Sequence, residues 1–336
     1  RTVRVDDDPR HTEHSLGDMA GNSAQAGIDT GAFELDATDL SINSWGPAAE
    51  VSRHYDSSVE ETVSLARGWR FSFEQTLVET VAGQRAVYTD STGEEHTFRY
   101  SSAAGRWIAP NGFWGTLEKH EPFGFDDTWT LELKDHTVLT FAEPSGELLL
   151  EVDRNGNEVT YSRSGGDLTI EAANGQSIVV DFENGLVVSA TQWSATDQEP
   201  SRVEYDMTGT ELVVKRAAED TGLAFSTNYP YSGGRVAGIC VPLTDITWTV
   251  EYAGDGTLSA VENAEPTTSM RREIVRNTAS REATVSTFDG VTTYKYNPTG
   301  TCATRSNEGS ATLLTTMEYD AANLPIREVS PTGRET

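Results

Sequence analysis

Residues 318–333 read EYDAANLPIREVSPTG, and this stretch decides the fold class. It places an aromatic residue and an acid before a short turn, followed by a leucine, an alternating run and a Pro/Gly exit. Similar units can be aligned upstream of it. The aromatic residues that start these units are Tyr161, Phe182, Tyr205, Tyr252, Tyr296 and Tyr319.

The spacing between these aromatic residues is close to constant. Steps of 21 and 23 residues separate Tyr161 from Phe182 and Phe182 from Tyr205, and a step of 23 residues precedes Tyr319. The two remaining steps are 47 and 44 residues, or two periods each. An internal period of about 22–23 residues is typical of repeat proteins. We therefore predict that the six aromatic residues pack between successive units of a repeat array.

Short alternating runs and tight-turn pairs predict an antiparallel all-β protein. Stretches such as 49–55, 128–133 and 177–182 alternate apolar and polar residues, as strands with one buried face do. Asn-Gly and Asp-Gly pairs tolerate the positive φ angles of tight hairpin turns. These pairs occur at 111–112, 155–156, 174–175, 184–185, 255–256 and 289–290.

The composition limits the kinds of partner that the chain can bind. The chain of 336 residues carries 53 acids against 25 bases, a formal charge of -28. This charge argues against nucleic acid or an anionic membrane surface as a partner. The sequence also lacks an apolar run of membrane-spanning length, so we predict no membrane insertion within this chain.

The two cysteines, Cys240 and Cys302, lie 62 residues apart and form no C-x-x-C pair, which argues against a zinc site. Two readings stay open for them. They form one disulfide that closes a long loop outside the cell, or they are two buried thiols.

The chain divides into three predicted segments. Residues 1–30 are polar and without periodicity, which predicts an extended or poorly ordered leader. Residues 31–150 form an N-terminal β domain of hairpins that precedes the repeats. Residues 151–336 form the repeats, which are incomplete at the C-terminus; we therefore expect a piece of a longer protein.

Several motifs together resemble the Rhs/YD-repeat family, which includes bacterial polymorphic-toxin shells, wall-associated proteins and teneurins. They are TGAFELDATDLSI at 30–42, VSRHYDS at 51–57 and GWRFSFE at 68–74, in the order of the β domain that commonly precedes bacterial YD repeats. GEL at 146–148 and VDRNGN at 152–157 resemble the family's entry into the repeats. The resemblance covers the chain from about Thr30 to its end.

The resemblance implies a long sheet of hairpins that spirals into a hollow shell. It implies a structural, non-enzymatic fragment of a secreted or cell-surface protein, which encloses a C-terminal effector or presents a binding surface. The partners would be the remainder of the same longer chain, including an effector beyond Thr336, and a cell-surface protein or glycan. Several units depart from the pattern, since Ala253 follows Tyr252 and Asn297 follows Tyr296.

Two alternatives are weighed against the structural interpretation. Exposed aromatic residues can stack on sugar rings, so an adhesin module that binds carbohydrate or protein through Trp107, Trp114 and Trp129 is the first. A glycoside hydrolase ranks below it, because a pair of carboxylates can be drawn by chance from so acidic a sequence.

No cofactor, metal or catalytic residue is predicted. The six histidines are scattered, and no P-loop, dinucleotide fingerprint or nucleophile elbow is present. Residues 153–157 (DRNGN) superficially resemble the start of a calcium loop, but Glu158 replaces the expected glycine. A hairpin turn explains them better.

Overall fold

The computed structural model describes residues 12–120, 127–193, 200–217, 224–244, 246–263, 270–287, 290–307, 314–321, 325–330 and 334. Within these ranges the helical elements are two single-turn 3-10 helices, Ser72–Glu74 and Pro242–Thr244. A search of the same residues for a helix with the length and apolar character needed to cross a membrane finds none. Residues 1–11 of the predicted leader lie outside the described residues.

The strands form three sheets. The five-stranded sheet contains β1 (Glu13–Met19), β2 (Asn22–Gly27), β3 (Phe33–Ile42), β4 (Ala49–Asp56) and β5 (Trp69–Phe71). The four-stranded sheet contains β6 (Thr76–Val81), β7 (Arg85–Thr89), β8 (Glu95–Ser101) and β9 (Arg106–Ile108).

The third sheet has 21 strands. Its first half contains β10 (Gly115–His120), β11 (Thr128–Leu133), β12 (Val138–Ala142), β13 (Leu148–Val152), β14 (Glu158–Ser164), β15 (Asp167–Ala172), β16 (Ser177–Glu183), β17 (Leu186–Trp193), β18 (Ser201–Thr208), β19 (Glu211–Ala217) and β20 (Ala224–Ser232). Its second half contains β21 (Arg235–Val236), β22 (Gly238–Val241), β23 (Ile246–Tyr252), β24 (Leu258–Asn263), β25 (Met270–Asn277), β26 (Glu282–Thr287), β27 (Gly290–Tyr296), β28 (Cys302–Asn307), β29 (Leu314–Tyr319) and β30 (Pro325–Val329).

Strand order follows chain order in every sheet. From β10 to β19 each strand pairs antiparallel with the next one along the chain, and the same holds from β22 to β30. The prediction of an all-β fold built from antiparallel hairpins is confirmed. Hairpins joined in sequence need only short connections, which explains why turn residues dominate between strands.

One turn geometry recurs along the chain. The first residue donates its N–H to the carbonyl of the fifth, and the fourth, a glycine, donates to the carbonyl of the first. The fourth-position glycines have φ between 78° and 94°, the left-handed region that a residue with a Cβ avoids. This geometry is that of a type I turn followed by a glycine bulge. The turns are 90–94, 153–157, 172–176, 253–257 and 297–301.

The turn at 153–157 accounts for the residues that resemble a calcium loop. Asp153 Oδ1 accepts backbone hydrogen bonds from Asn155 at 2.8 Å and Asn157 at 2.9 Å. The hydrogen bonds from the Asn157 side chain and backbone lower the pKa of Asp153 to about 2. The carboxylate therefore closes the hairpin turn.

The chain divides into two compact units. The terminal unit contains residues 1–35, 56–60 and 228–336, and the central unit contains 36–55 and 61–227. The core of the central unit includes a continuous group of buried side chains from the β6–β9 sheet and from β10 to β13. Its large members are Tyr88, Phe98, Trp129, Leu131 and Phe141.

The terminal unit corrects the prediction for residues 1–30. Residues 12–30 include the paired strands β1 and β2, so this part of the predicted leader is ordered. Leu16 and Met19 are fully buried, although the local sequence has little apolar content. Polar anchors add to them: Thr12 Oγ1 donates to Gly300 O at 2.7 Å, and Tyr229 Oη donates to Asn22 Oδ1 at 2.6 Å. The local strand propensity does not predict this hairpin, because residues distant along the chain stabilise it.

Gly146 offers a test of close packing between β6 and the loop before β13. It has φ of 75°, and a Cβ added there would lie 2.8 Å from Leu77 O and 2.6 Å from a Val78 methyl. We expect Gly146→Ala to lower the free energy of unfolding by about 3 kcal/mol, combining strain and overpacking. The control is Gly156→Ala, with φ of 83° and no atom within 4 Å, which should cost about 1 kcal/mol. Equal losses in urea unfolding would contradict the close contact.

Candidate functional site

A buried ion pair joins β3 and β4 in the central unit. Arg53 occupies an inward position of β4, where every second residue is buried. Its Nε donates to Asp39 Oδ2 at 2.5 Å and its Nη2 donates to Asp39 Oδ1 at 3.0 Å. The side chains are 1% and 0% exposed. A two-point guanidinium–carboxylate contact fixes both position and orientation.

Two residues of the large sheet complete this group. Tyr205 Oη, from β18, donates to Asp39 Oδ2 at 2.7 Å, and Arg216 Nη2, from β19, donates to Asp39 Oδ1 at 2.8 Å. Burial, and then the neighbouring Asp39 charge, raise the pKa of Tyr205 well above its usual value, so the phenol remains a donor. We name Asp39, Arg53, Tyr205 and Arg216 the Asp39 cluster.

Aromatic rings surround the Asp39 cluster. The Arg53 guanidinium lies 4.7 Å from the centre of the Trp69 ring, and Phe71 meets Tyr205 edge-on with centroids 5.3 Å apart. Asp39 and Arg53 are shielded from water, which strengthens the hydrogen bonds between them and makes the loss of one partner costly, whereas the Arg216 side chain is 42% exposed. The cluster holds the strands that carry the VSRHY and GWRFSFE motifs against β18 and β19.

A cavity of about 560 Å³ lies in the same unit, lined by residues of β5, the 3-10 helix 72–74, β13, β14 and β15. Burial raises the pKa of Glu74 at its wall. Glu74 Oε2 accepts the Phe71 N–H at 2.7 Å, while Oε1 accepts the Ser64 hydroxyl. Both carboxylate oxygens of Glu74 therefore hold neighbouring parts of the chain, at Ser64 and Phe71, in place. Glu147, also in the wall, pairs with Arg163 at 2.8 Å.

Glu151 is a carboxylate on the buried face of the large sheet. It lies between Leu139 on β12 and Val159 on β14, which are both buried. The Tyr161 hydroxyl donates to it at 3.5 Å. Burial, with a further contribution from Glu50, raises the pKa of Glu151 to about 7. At pH values between the ordinary glutamate pKa and about 7, Glu151 therefore keeps a proton in the folded protein that it has already lost in the unfolded chain.

This difference predicts how stability depends on pH. Between the ordinary glutamate pKa and about 7, the folded state binds more protons than the unfolded state, so stability falls as pH rises through this window. Glu151→Gln keeps the neutral shape and should raise stability above pH 7 by on the order of 2 kcal/mol. Denaturant unfolding at pH 5 and pH 8 measures this, with exposed Glu158→Gln as the control. An unchanged pH profile for Glu151→Gln would refute the assignment.

Asp90, Glu94 and His96 form the one group of three metal-type ligands found among the described residues, with ligand atoms within 4.8 Å of one another. His96 Nε2 lies 2.8 Å from Asp90 Oδ2, and Asp90 Oδ1 accepts the N–H groups of Thr92 and Glu94 at 2.9 and 3.0 Å. These bonds belong to the hairpin turn at 90–94. They explain the arrangement without an ion.

The three tryptophans proposed as ligand-binding residues lie in different environments. Trp129 is 0% exposed, and its indole N–H donates to Glu143, so it has no surface to offer a sugar. Trp107 is half-buried against Trp129, with ring centroids 5.2 Å apart. Trp114 is 46% exposed, with Lys134 Nζ 5.8 Å from its ring. The proposed group of exposed aromatic residues is therefore wrong for Trp129, because the hydrophobic core takes its ring.

Four of the six repeat aromatics occupy similar positions on their strands, whereas Tyr161 and Tyr205 lie within β14 and β18. Phe182, Tyr252, Tyr296 and Tyr319 each stand where the pairing register shifts, just before a turn. Tyr252 Oη donates to Val236 O and Tyr319 Oη to Cys302 O, both at 2.9 Å. Tyr205 is buried at 6% exposure, and Tyr161 and the other four are half-buried.

The cysteines are both free. Cys240 is on β22 and Cys302 is on β28, and each is half-buried. The disulfide alternative is therefore absent from the structure. Burial raises the pKa of Cys302 to about 11, which keeps this thiol protonated and unreactive near neutral pH.

The sequence did not identify the Asp39 cluster. One signal was available, because an arginine at the buried position of a strictly alternating strand requires a buried acid. The sequence could not complete the group, since Tyr205 and Arg216 are distant from Asp39 along the chain.

Comparison with known families places the Asp39–Arg53 pair in a recognised segment. Residues 27–98 match the family described as "Domain of unknown function (DUF6531)", a domain found in YD/Rhs-type proteins. This segment contains β3, β4 and β5.

Curated relatives match a larger part of the chain. The tRNA nuclease WapA of Bacillus subtilis (strain 168) is 31% identical over 140 residues, which are 42% of this chain and 6% of WapA. The tRNA3(Ser)-specific nuclease WapA of Bacillus spizizenii matches with the same identity and coverage. The aligned region is a small fraction of the length of these relatives.

Two solved structures give weak similarity. A porin-like protein from Bacteroides uniformis ATCC 8492 has a TM-score of 0.29 and 12% identity, covering 63% of this chain and 91% of that chain. The TcdB2-TccC3 structure has a TM-score of 0.26 and 10% identity, covering 97% of this chain and 24% of that chain. Both TM-scores are too low to establish a shared fold.

The relatives correct one prediction. The resemblance led us to predict that this protein is not an enzyme, whereas the curated relatives are named as tRNA nucleases, which are enzymes. The prediction is therefore wrong as it was stated.

Proposed function

We propose that this chain is part of a longer Rhs/YD-type toxin, in which its hairpins form part of a β shell around a C-terminal effector. The match at 27–98 and the similarity to WapA support this proposal. In this scheme residues 1–30 lead into the shell, 31–150 form its N-terminal domain and 151–336 supply repeat units. The six repeat aromatics pack between those units.

The observation that carries the proposal is the Asp39 cluster. A shell needs its N-terminal domain fixed to its wall, and a buried charged carboxylate with three hydrogen-bonding partners gives a specific attachment. The cluster joins two strands of the segment that matches DUF6531 to β18 and β19 of the large sheet. Asp39 accepts hydrogen bonds from all three partners, so the role of the cluster is to fix position.

The effector supplies the chemistry in this proposal. By analogy with WapA, the longer polypeptide is a nuclease that acts on tRNA. In line with the family resemblance, we place it outside the cell that makes it or at that cell's surface. A net charge of -28 on the present chain would keep RNA away from the shell wall itself.

Limited proteolysis of the full-length polypeptide tests this function. We expect the effector segment to survive protease concentrations that cleave the same segment expressed alone. Asp39→Ala should make the effector cleavable by loosening the wall, whereas Glu171→Ala, at an exposed position of β15, should not. An effector equally cleavable in the full-length and isolated forms would contradict enclosure.

One observation favours a second function, that of an adhesin module. Trp114 presents 46% of its surface with a lysine beside the ring, an arrangement that suits stacking on a sugar. A glycan array with the wild type and Trp114→Ala tests it. Binding that is lost in the variant would support the adhesin, and no glycan bound by the wild type would remove it.

A further inference from the structure

The outer face of the β6–β9 sheet combines arginines with exposed apolar side chains. Leu77, Ala86 and Phe98 on this sheet are buried, so the residues that alternate with them point to solvent. We name this surface the basic face. Its central members are Val78, Val81, Arg85, Val87, Thr97, Arg99, Arg106 and Ile108, and Thr76, Thr89 and one acid, Glu95, continue the same face at one end.

A single row of neighbours crosses the basic face. Val81 pairs with Arg85, Arg85 pairs with Arg99, and Arg99 pairs with Ile108. Two arginines thus stand directly opposite each other on β7 and β8. Like charges at such a cross-strand position destabilise a sheet. The unbound protein retains this repulsion, which an acidic residue at either position would remove.

The basic face contrasts with the rest of the chain. The protein carries 53 acids, yet within the described part of the chain Arg85, Arg99 and Arg106 show no ion pair with any of them. The one hydrogen bond seen for their guanidinium groups runs from Arg85 Nε to the Thr80 hydroxyl at 2.7 Å. The guanidinium groups of this face are therefore available to an incoming anion.

Apolar groups lie between these charges. Val78, Val81 and Ile108 are 37%, 39% and 40% exposed, and Val87 is half-buried beside Val78. Val78 and Val87 are paired neighbours, and Val81 and Ile108 lie at the two ends of the row that contains Arg85 and Arg99, so apolar side chains flank the charges on both sides.

We propose that the basic face docks an extended, acidic segment of a partner protein in which carboxylates alternate with apolar residues. Carboxylates would bind Arg85, Arg99 and Arg106, and the alternating apolar side chains would cover the valines and Ile108. This inference concerns the outer face of a small sheet, and it does not depend on the shell proposal.

A protein segment fits the basic face better than a nucleic acid or a lipid surface. Polyphosphate binding requires many cationic contacts and gains little from valine or isoleucine. At long range the charge of -28 repels such polyanions, whereas a short acidic segment meets the local positive charge within one Debye length of about 8 Å. The valines and Ile108 beside the arginines favour a partner that also contributes apolar area.

Fluorescence anisotropy with a labelled alternating Glu/Val peptide of about ten residues tests the proposal on the whole chain. Wild type should bind it, and Arg85→Glu with Arg99→Glu and Arg106→Glu should weaken binding by about tenfold or more. The matched control changes three exposed arginines elsewhere, Arg154, Arg281 and Arg334, to glutamate. This control should weaken binding by less than about threefold, because long-range charge alone acts there.

Two further measurements separate the alternatives. Val78→Ser with Ile108→Ser should also weaken peptide binding, while Arg99→Glu alone should weaken it by less than the triple variant does and without loss of stability, since it turns a repulsive pair into an attractive one. No binding by the wild type would overturn the proposal. Stronger binding to duplex DNA or to phosphatidylglycerol vesicles than to the peptide would overturn it as well.

Discussion

Asp39→Ala is expected to lower the free energy of unfolding by about 3–5 kcal/mol. The substitution leaves Arg53 buried without its carboxylate and removes the acceptor of the Tyr205 hydroxyl. A buried guanidinium that loses its partner costs far more than the net value of the intact pair, because it was desolvated on folding. Urea unfolding monitored by tryptophan fluorescence measures the loss.

The matched control is Asp36→Ala on the same strand. The Asp36 side chain lies on the opposite face of β3 from Asp39. It pairs with His54 at 3.0 Å and is 25% exposed. Such a pair contributes under about 1 kcal/mol. If both alanine variants lost the same stability, the Asp39 cluster would have no special role.

Trp129→Ala is the second large effect, with an expected loss of about 3–5 kcal/mol. The indole is 0% exposed and packs with Trp107 and Phe141 in the core of the central unit. Its removal leaves a cavity where neighbouring strands prevent collapse. Its N–H bond to Glu143 is lost as well.

The control is Trp114→Ala, the same substitution at an exposed position. We expect a change within about 0.5 kcal/mol, because a surface side chain contributes little packing. Thermal unfolding of the two variants side by side separates the core tryptophan from the exposed one. A small effect at Trp129 would mean that the indole is not part of the core.

The sequence was sufficient for the fold class because local signals agreed. The alternating residues of β4, β11 and β16 and the turn glycines such as Gly156 and Gly256 each specify a hairpin without help from distant residues. The aromatic period also located four residues at register shifts, each at or next to the last residue of its strand.

Long-range contacts account for what the sequence could not give. The β1–β2 hairpin is ordered by Tyr229 and Gly300, which lie more than two hundred residues away along the chain. The burial of Trp129 depends on partners from other strands, and composition cannot distinguish it from Trp114. The basic face was hidden because its three arginines are spread over three strands within an acidic sequence.

The measurement that most directly tests the central claim is native-state hydrogen exchange on the wild type and on Asp39→Ala. If the Asp39 cluster fixes the N-terminal strands to the wall, the amides of β3 and β4 and those of β18 and β19 should lose protection together and by the same free energy. Loss of protection in β3 and β4 alone, with β18 and β19 unchanged, would contradict the proposed attachment.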